Sequence, residues 1–209
     1  MFSSRSIFPA FLKVAVAIAL SAVTLCAAIP RGWYITGSQP RDYETGIDDA
    51  QHNGHRVAYL KAISETPTGF ATLMQDFRAN RYLDTRIRLR ADVKTDQVGD
   101  GAFIWMRVDK AVGDTSRILA FDNMDGRSLK GTTDWQDCQV VLDVAPDATN
   151  INFGVTLRGS GNVSISNISL ESVDQDIPVT GEPITNAPRQ RWLQIRRPLE
   201  IPFNLEFQP

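Results

Sequence analysis

The sequence predicts an all-β protein: an antiparallel two-sheet jelly-roll sandwich with an apolar N-terminal helix before it and an extended arm behind it. Three observations carry this. Apolar residues in the body recur with period two rather than 3.6. Turn signals separate the alternating runs at Asn53-Gly54, Gly99-Asp100-Gly101, Asp125-Gly126 and Gly159-Ser160-Gly161. The body is flanked by an apolar run on one side and a proline-rich run on the other. The chain therefore divides at residues 1–30, 31–175 and 176–209.

Residues 8–29 form the apolar run, 22 residues broken only by Lys13 and a few mildly polar positions. As a helix they span about 33 Å, enough for a hydrocarbon core of about 30 Å. On this reading the segment is a single-pass transmembrane helix in the lipid bilayer. Lys13 snorkels to one interface, and Trp33 and Tyr34 sit in the aromatic belt at the other. A cleavable signal ending near Ala28 is the alternative, the small residues of "LCAA" suiting a peptidase.

The strands follow in order. "GWYIT" (32–36) and "RVAYLKA" (56–62) come first, and "GFATLMQDF" (69–77) reads as a strand or a short helix. "RIRLRADV" (86–93) alternates without error, Ile87, Leu89, Ala91 and Val93 against Arg86, Arg88, Arg90 and Asp92. "AFIWMRVD" (102–109) puts Ala102, Ile104, Met106 and Val108 on one face, and "RILAFD" (117–122) follows. "DCQVVLDV" alternates as well, which makes Cys138 a small buried hydrophobe. "NINFGVTLR" (150–158) repeats the pattern, while "VSISNISLESV" (163–173) changes phase between Ile165 and Ile168, the mark of a β-bulge near a sheet edge.

The segments "GWYITGSQPRDYETGID", "GFATLMQDF", "WMRVD", "LAFDNM" and "GTTDW…VVLDV" occur in an order that resembles a bacterial jelly-roll domain of the carbohydrate-binding, galactose-binding-like type. Such domains are often fused to helix-turn-helix transcriptional regulators. The resemblance covers residues 31 to about 175 and implies a two-sheet sandwich with a concave ligand-holding face. No helix-turn-helix segment accompanies it in this sequence.

Strand parity places Phe103, Trp105 and Arg107 together on the face opposite Ile104 and Met106. Aromatics beside an arginine suit sugar stacking or protein contact, or else simple packing under a loop. Arg86, Arg88 and Arg90 form a basic row, either partner-binding or solvated and laced with acidic groups. His52 and His55 flank a hairpin turn and have no third ligand nearby in sequence, so no metal site is expected. "FDNMDGR" lacks the alternate oxygen ligands of a calcium loop and reads as a turn. No nucleophile–base set is recognisable, so neither enzymatic activity nor a cofactor is expected. With 22 basic against 24 acidic residues the chain carries −2, which excludes nucleic acid as a partner.

Six of the eleven prolines lie beyond residue 177, which forbids a helix there. Interleaved among them are Arg189, Arg191, Trp192, Ile195, Arg196, Arg197, Phe203 and Phe207. This arm either folds back over its own sandwich or lies on another protein. Together these features describe a non-catalytic accessory subunit of a membrane protein complex, its sandwich on the periplasmic side of a bacterial inner membrane. The alternative is a secreted or anchored module whose partner is a glycan.

Overall fold

The structure is a computed structural model describing residues 29–181, 184, 190–191 and 197–208. Ten strands run through it: β1 Tyr34–Gly37, β2 Tyr43–His52, β3 His55–Ala62, β4 Phe70–Arg78, β5 Arg86–Val112, β6 Thr115–Asp122, β7 Leu129–Asp143, β8 Asn150–Arg158, β9 Asn162–Val173 and β10 Gln190–Arg191. Every strand pairing among them is antiparallel.

The 27-residue β5 organises the architecture. Its first half, residues 86–96, lies between β7 and β9, whereas its second half, residues 101–112, lies between β8 and β6. The register slips repeatedly between Val93 and Ala102, where Gln97 and Gly101 take φ of 51° and 155°. Such positive-φ positions and bulges let a strand turn sharply without losing its ladder. One curled sheet thus supplies two facing layers, β2-β3-β9-β5-β7 and β1-β4-β8-β5-β6-β10. The fold is a β-sandwich.

The core forms where the alternating faces meet. Ala71, Leu73 and Phe77 of β4 lie beside Leu157, Val155 and Ile151 of β8, all without solvent exposure. Ile87, Leu89 and Val93 of β5 close it from the other layer. Each such aliphatic or aromatic side chain contributes about 1.5–3 kcal/mol by burial.

"GFATLMQDF" is strand, not helix, because its period-two set finds a ladder on both sides. The bulge in β9 is present, with pairing slipping between Ser166 and Ser169 and Asn167 at φ 51°. It does not lie near an edge, however: β9 runs between β3 and β5, and the bulge instead marks where the β2–β3 hairpin stops pairing with it. The edge strand β2 is rich in acidic residues (Glu44, Asp48, Asp49) and has little alternation, which discourages edge-to-edge pairing.

Among the described residues no helix is long and apolar enough to cross a membrane. Lys13 and the rest of residues 8–28 lie outside them. Trp33, expected at a lipid interface, is instead in the core. Its ring meets Phe153 edge-on at 5.4 Å and Phe207 at 5.2 Å, and its N–H donates to the Asn204 carbonyl at 3.0 Å.

The arm explains that burial. Residues 197–208 fold back over their own sandwich. Leu199 bridges Phe77 in parallel beside β1, with Arg78 N–H donating to Leu199 O and Leu199 N–H to Asp76 O. The buried Gln75 amide then clamps Phe203, donating to its carbonyl and accepting from its N–H, both at 2.7 Å. Phe207, expected on a partner, has no solvent exposure and fills the gap beside Trp33. On the far side, Thr180 bonds β7 at Val141, Ile184 N–H donates to Leu119 O, and β10 pairs with β6. An open sandwich leaves apolar edges at both sides, and these segments cover them.

Candidate functional site

The outward face of the second layer departs from what a solvated sheet normally shows. Facing away from the core are Thr72, Met74 and Asp76 of β4, Asn150, Asn152 and Thr156 of β8, and Phe103, Trp105, Arg107 and Asp109 of β5. The central members are buried although, among the described residues, no second sheet covers them. The polar ones among them are amides, hydroxyls and the Asp109 carboxylate rather than lysines and glutamates. Half-buried Tyr34 on β1 and Phe121 on β6 flank this floor, with Phe70 and Arg158 exposed at one end.

Phe103, Trp105 and Arg107 share this face, as strand parity requires, but the two rings are not an exposed platform. They are 8% and 7% exposed. The Trp105 indole spans β8, and its N–H donates to Thr72 Oγ1 at 2.9 Å, which donates on to Val155 O at 3.0 Å. Gly154, the residue paired with both Trp105 and Met74, lies beneath this span. A Cβ there would collide with the Leu73 carbonyl oxygen and lie 2.8 Å from Met74 Cβ. Phe121 meets the Trp105 ring edge-on at 6.5 Å, and the Arg158 guanidinium stands 5.7 Å above the Phe103 ring.

Arg107 is committed to Asp109. Its Nε donates to Asp109 Oδ2 at 3.0 Å, its Nη2 lies in ion-pair contact with that oxygen at 2.8 Å, and Asn152 Nδ2 donates to the same oxygen at 2.9 Å. Burial raises the Asp109 carboxyl above the usual range, and Arg107 and Asn152 pull it part of the way back. Tyr34, expected in a membrane belt, belongs to this face: it pairs with Met74, and its hydroxyl donates to Asp76 Oδ1 at 3.0 Å.

Arg86, Arg88 and Arg90 are not brought to this site. The bend in β5 sends them to the outer face of the first layer, away from Phe103, Trp105 and Arg107. There Arg86 forks onto Asp143, Arg88 onto Glu171 and Arg90 onto Asp137. Arg86 also donates to the carbonyls of Gln175 and Ile177, which holds the start of the arm. This is a charge-paired surface. Of the arm residues, Arg197 is exposed and Phe203 is 45% exposed. The Arg191 backbone is in β10, whereas Arg189, Trp192, Ile195 and Arg196 lie outside the described residues.

The remaining sequence candidates have local explanations. His52 and His55 pair across the Asn53-Gly54 turn. His52 stacks on Trp135 at 4.1 Å and lies 2.9 Å from Asp92 Oδ2, while His55 contacts Glu206 at 2.8 Å. Among the described residues no three metal-ligating side chains converge. Asp122 accepts from the Met124 N–H and from Arg127, which fixes the turn at 122–127. Burial pushes the Cys138 thiol up to about 11, with Asp137 adding to the effect.

The polar floor was within reach of sequence reading. In "NINFGVTLR" the outward phase reads Asn, Asn, Gly, Thr, where a solvated strand would carry charges. Asp109, by contrast, gives no signal, since its burial depends on Asn150 and Asn152 from another strand.

No family model matches the chain. The chain is 43% identical over 152 residues to the uncharacterized HTH-type transcriptional regulator YbfP of Bacillus subtilis (strain 168), a match covering 72% of this chain and 50% of that protein. It thus spans about half the length of the curated relative it matches. Its structural neighbours include carbohydrate-binding modules with a β-sandwich fold. One is the family 30 module of a Clostridium thermocellum cellulosomal cellulase, Cel9D-Cel44B, with a TM-score of 0.48 and 16% identity over 71% of this chain and 96% of that one. Another is the CBM22-1 xylan-binding domain of Paenibacillus barcinonensis Xyn10C, with a TM-score of 0.48 and 9% identity over 68% and 86%.

Proposed function

We propose that this chain is a non-catalytic binding module that takes a glycan on the outward face of its second layer. The observation that carries the reading is the floor itself: buried amides, hydroxyls and a carboxylate facing outward between aromatic flanks. Sites for small polar ligands combine apolar walls with a few oriented polar groups, and sugars present both C–H faces and hydroxyls to such walls. The accessory-subunit reading is weaker, because the arm was one of its supports and Phe207 is enclosed by the chain's own sandwich.

A glycan array followed by calorimetry tests this, with Tyr34→Ala and Phe121→Ala as variants of the half-buried flanks. Binding weakened at least tenfold by both, with unchanged circular dichroism, is the expected result. Failure of every arrayed glycan to bind overturns the reading, as does binding indifferent to both substitutions.

For location, the proposal keeps residues 8–29 as an anchor holding the module on the outer side of the inner membrane. Edman sequencing of the mature protein decides this, and a new N-terminus just after Ala28 refutes the anchor. The regulator name of the Bacillus relative fits a sensing use of the same binding face.

A further inference from the structure

One end of the outward face differs from the rest in being open. Arg158 on β8 stands directly opposite Phe70 on β4 and Gly101 on β5, all in the outward phase. Gly101 has no side chain, so the Arg158 guanidinium reaches past it to the next outward residue of β5, Phe103, and stands 5.7 Å from the centre of that ring. Phe103 is buried beneath it, whereas Arg158 and Phe70 are both exposed to solvent. The Phe70 backbone is fixed, its N–H donating to Ser38 Oγ at 3.0 Å and its carbonyl accepting from Gln39 N–H at 3.2 Å. Residues directly opposite in an antiparallel pair have Cβ atoms about 4.5–5.5 Å apart, so one ring-sized group in solvent reaches both Phe70 and Arg158.

The chemistry of the occupant follows from what Arg158 lacks. Arg107, further along β5, is committed to Asp109. Among the described residues the Arg158 side chain takes part in no ion pair and no hydrogen bond. Asp100 approaches Gly159, the next residue, without pairing with Arg158. The carboxylates of the face lie toward its other end: Asp76 is paired with Asn152, six residues along both strands from Phe70 and Arg158, or about 20 Å. That is well beyond the screening length of about 8 Å at physiological ionic strength, so they do not neutralise the guanidinium. A guanidinium offers five donors in a planar fork and no acceptor, and its best complement is a carboxylate taking two parallel bonds. The Phe103 ring holds the fork in place, which lowers the ordering cost of such a contact.

We infer that Phe70 and Arg158 form a subsite for an acidic sugar, the C–H face of a uronic acid lying on the Phe70 ring and its carboxylate forked by Arg158. The inference rests on the glycan reading for the face as a whole, and it adds the charge of the glycan and the end of the face that reads it. The lengthwise polarity also orients the ligand, since Asp76 at the other end repels a carboxylate.

The test titrates the full chain with hexamers of galacturonate, glucuronate and mannuronate, each beside its methyl ester, which removes the charge and keeps the ring. Wild type is compared with Arg158→Met, which keeps an apolar stem over Phe103, and with Phe70→Ala and Tyr34→Ala. Expected is binding of at least one acidic hexamer that weakens as salt is raised. Its ester binds at least tenfold more weakly, and Arg158→Met loses the same factor for the acid while binding the ester within twofold of wild type. Both Arg158 and Phe70 are exposed, so the melting temperatures of their variants stay close to that of wild type. If acid and ester bind alike, or Arg158→Met binds the acid within twofold of wild type, the acidic subsite is overturned, and the glycan reading stands where Tyr34→Ala still weakens binding. Binding of neutral glycans alone on the array overturns the subsite in the same way. If no hexamer and nothing on the array binds, both fall.

Discussion

Replacing Phe207 by alanine asks whether the arm is part of the domain. The phenyl ring has no solvent exposure and lies 5.2 Å from Trp33, which is itself edge-on to Phe153 at 5.4 Å. Truncating a buried Phe costs about 3–5 kcal/mol, from lost transfer free energy plus the cavity left behind. Phe207 is carried on an arm that is not a strand of the sandwich, so the arm can relax toward Trp33 or lift away, and the lower end, about 3 kcal/mol, is expected. For a domain of this size that corresponds to a fall in Tm of roughly 6–12 °C. Urea unfolding gives the free energy, and acrylamide quenching reports Trp33, whose shelter Phe207 provides. A loss below about 1 kcal/mol with unchanged quenching would refute the reasoning, because it would mean the arm adds nothing to its own sandwich.

Three further outcomes follow from the same packing. Gly154→Ala forces a Cβ onto the Leu73 carbonyl and Met74, so a destabilisation of about 1–3 kcal/mol is expected in urea unfolding; a neutral effect would show that the Trp105 span is not tightly packed. Cys138, with its thiol at about 11, stays unmodified by iodoacetamide in the native protein at pH 8 and reacts once urea unfolds it, as peptide mass spectrometry would show; rapid native labelling contradicts the burial. Asp109 has a carboxyl raised by burial, so between its unfolded and folded values the native state alone holds the proton. Stability from this group therefore falls as pH rises from about 4 through that window. Asp109→Asn flattens the profile there, and an unchanged slope of urea midpoint against pH rules the assignment out.

Much of the fold is legible in the chain. The alternation in residues 86–93, 102–109 and 150–158 determines strands and their inward residues, because side-chain direction along a strand is a local property. The pairing of Asn53 with Gly54 determines a hairpin, since both central positions take positive φ, 50° and 83°. Even the phase change in residues 163–173 is local, and β9 bulges there.

What alternation cannot state is which layer a strand joins or what covers its second face. Arg86 and Trp105 look like neighbours on one surface until β5 is seen to bend between them and deliver them to opposite sides of the molecule. Trp33 and Phe207 look like surface anchors, yet they find each other across more than the whole body of the chain and fill one gap. The buried floor around Asp109 likewise draws its members from three strands distant in sequence. The sequence by itself determined the strands, their inner faces and the turns, because those follow from the geometry of a few consecutive residues. Only the tertiary structure decided the site and the fate of the arm, because both depend on which distant segments displace water from the same surface.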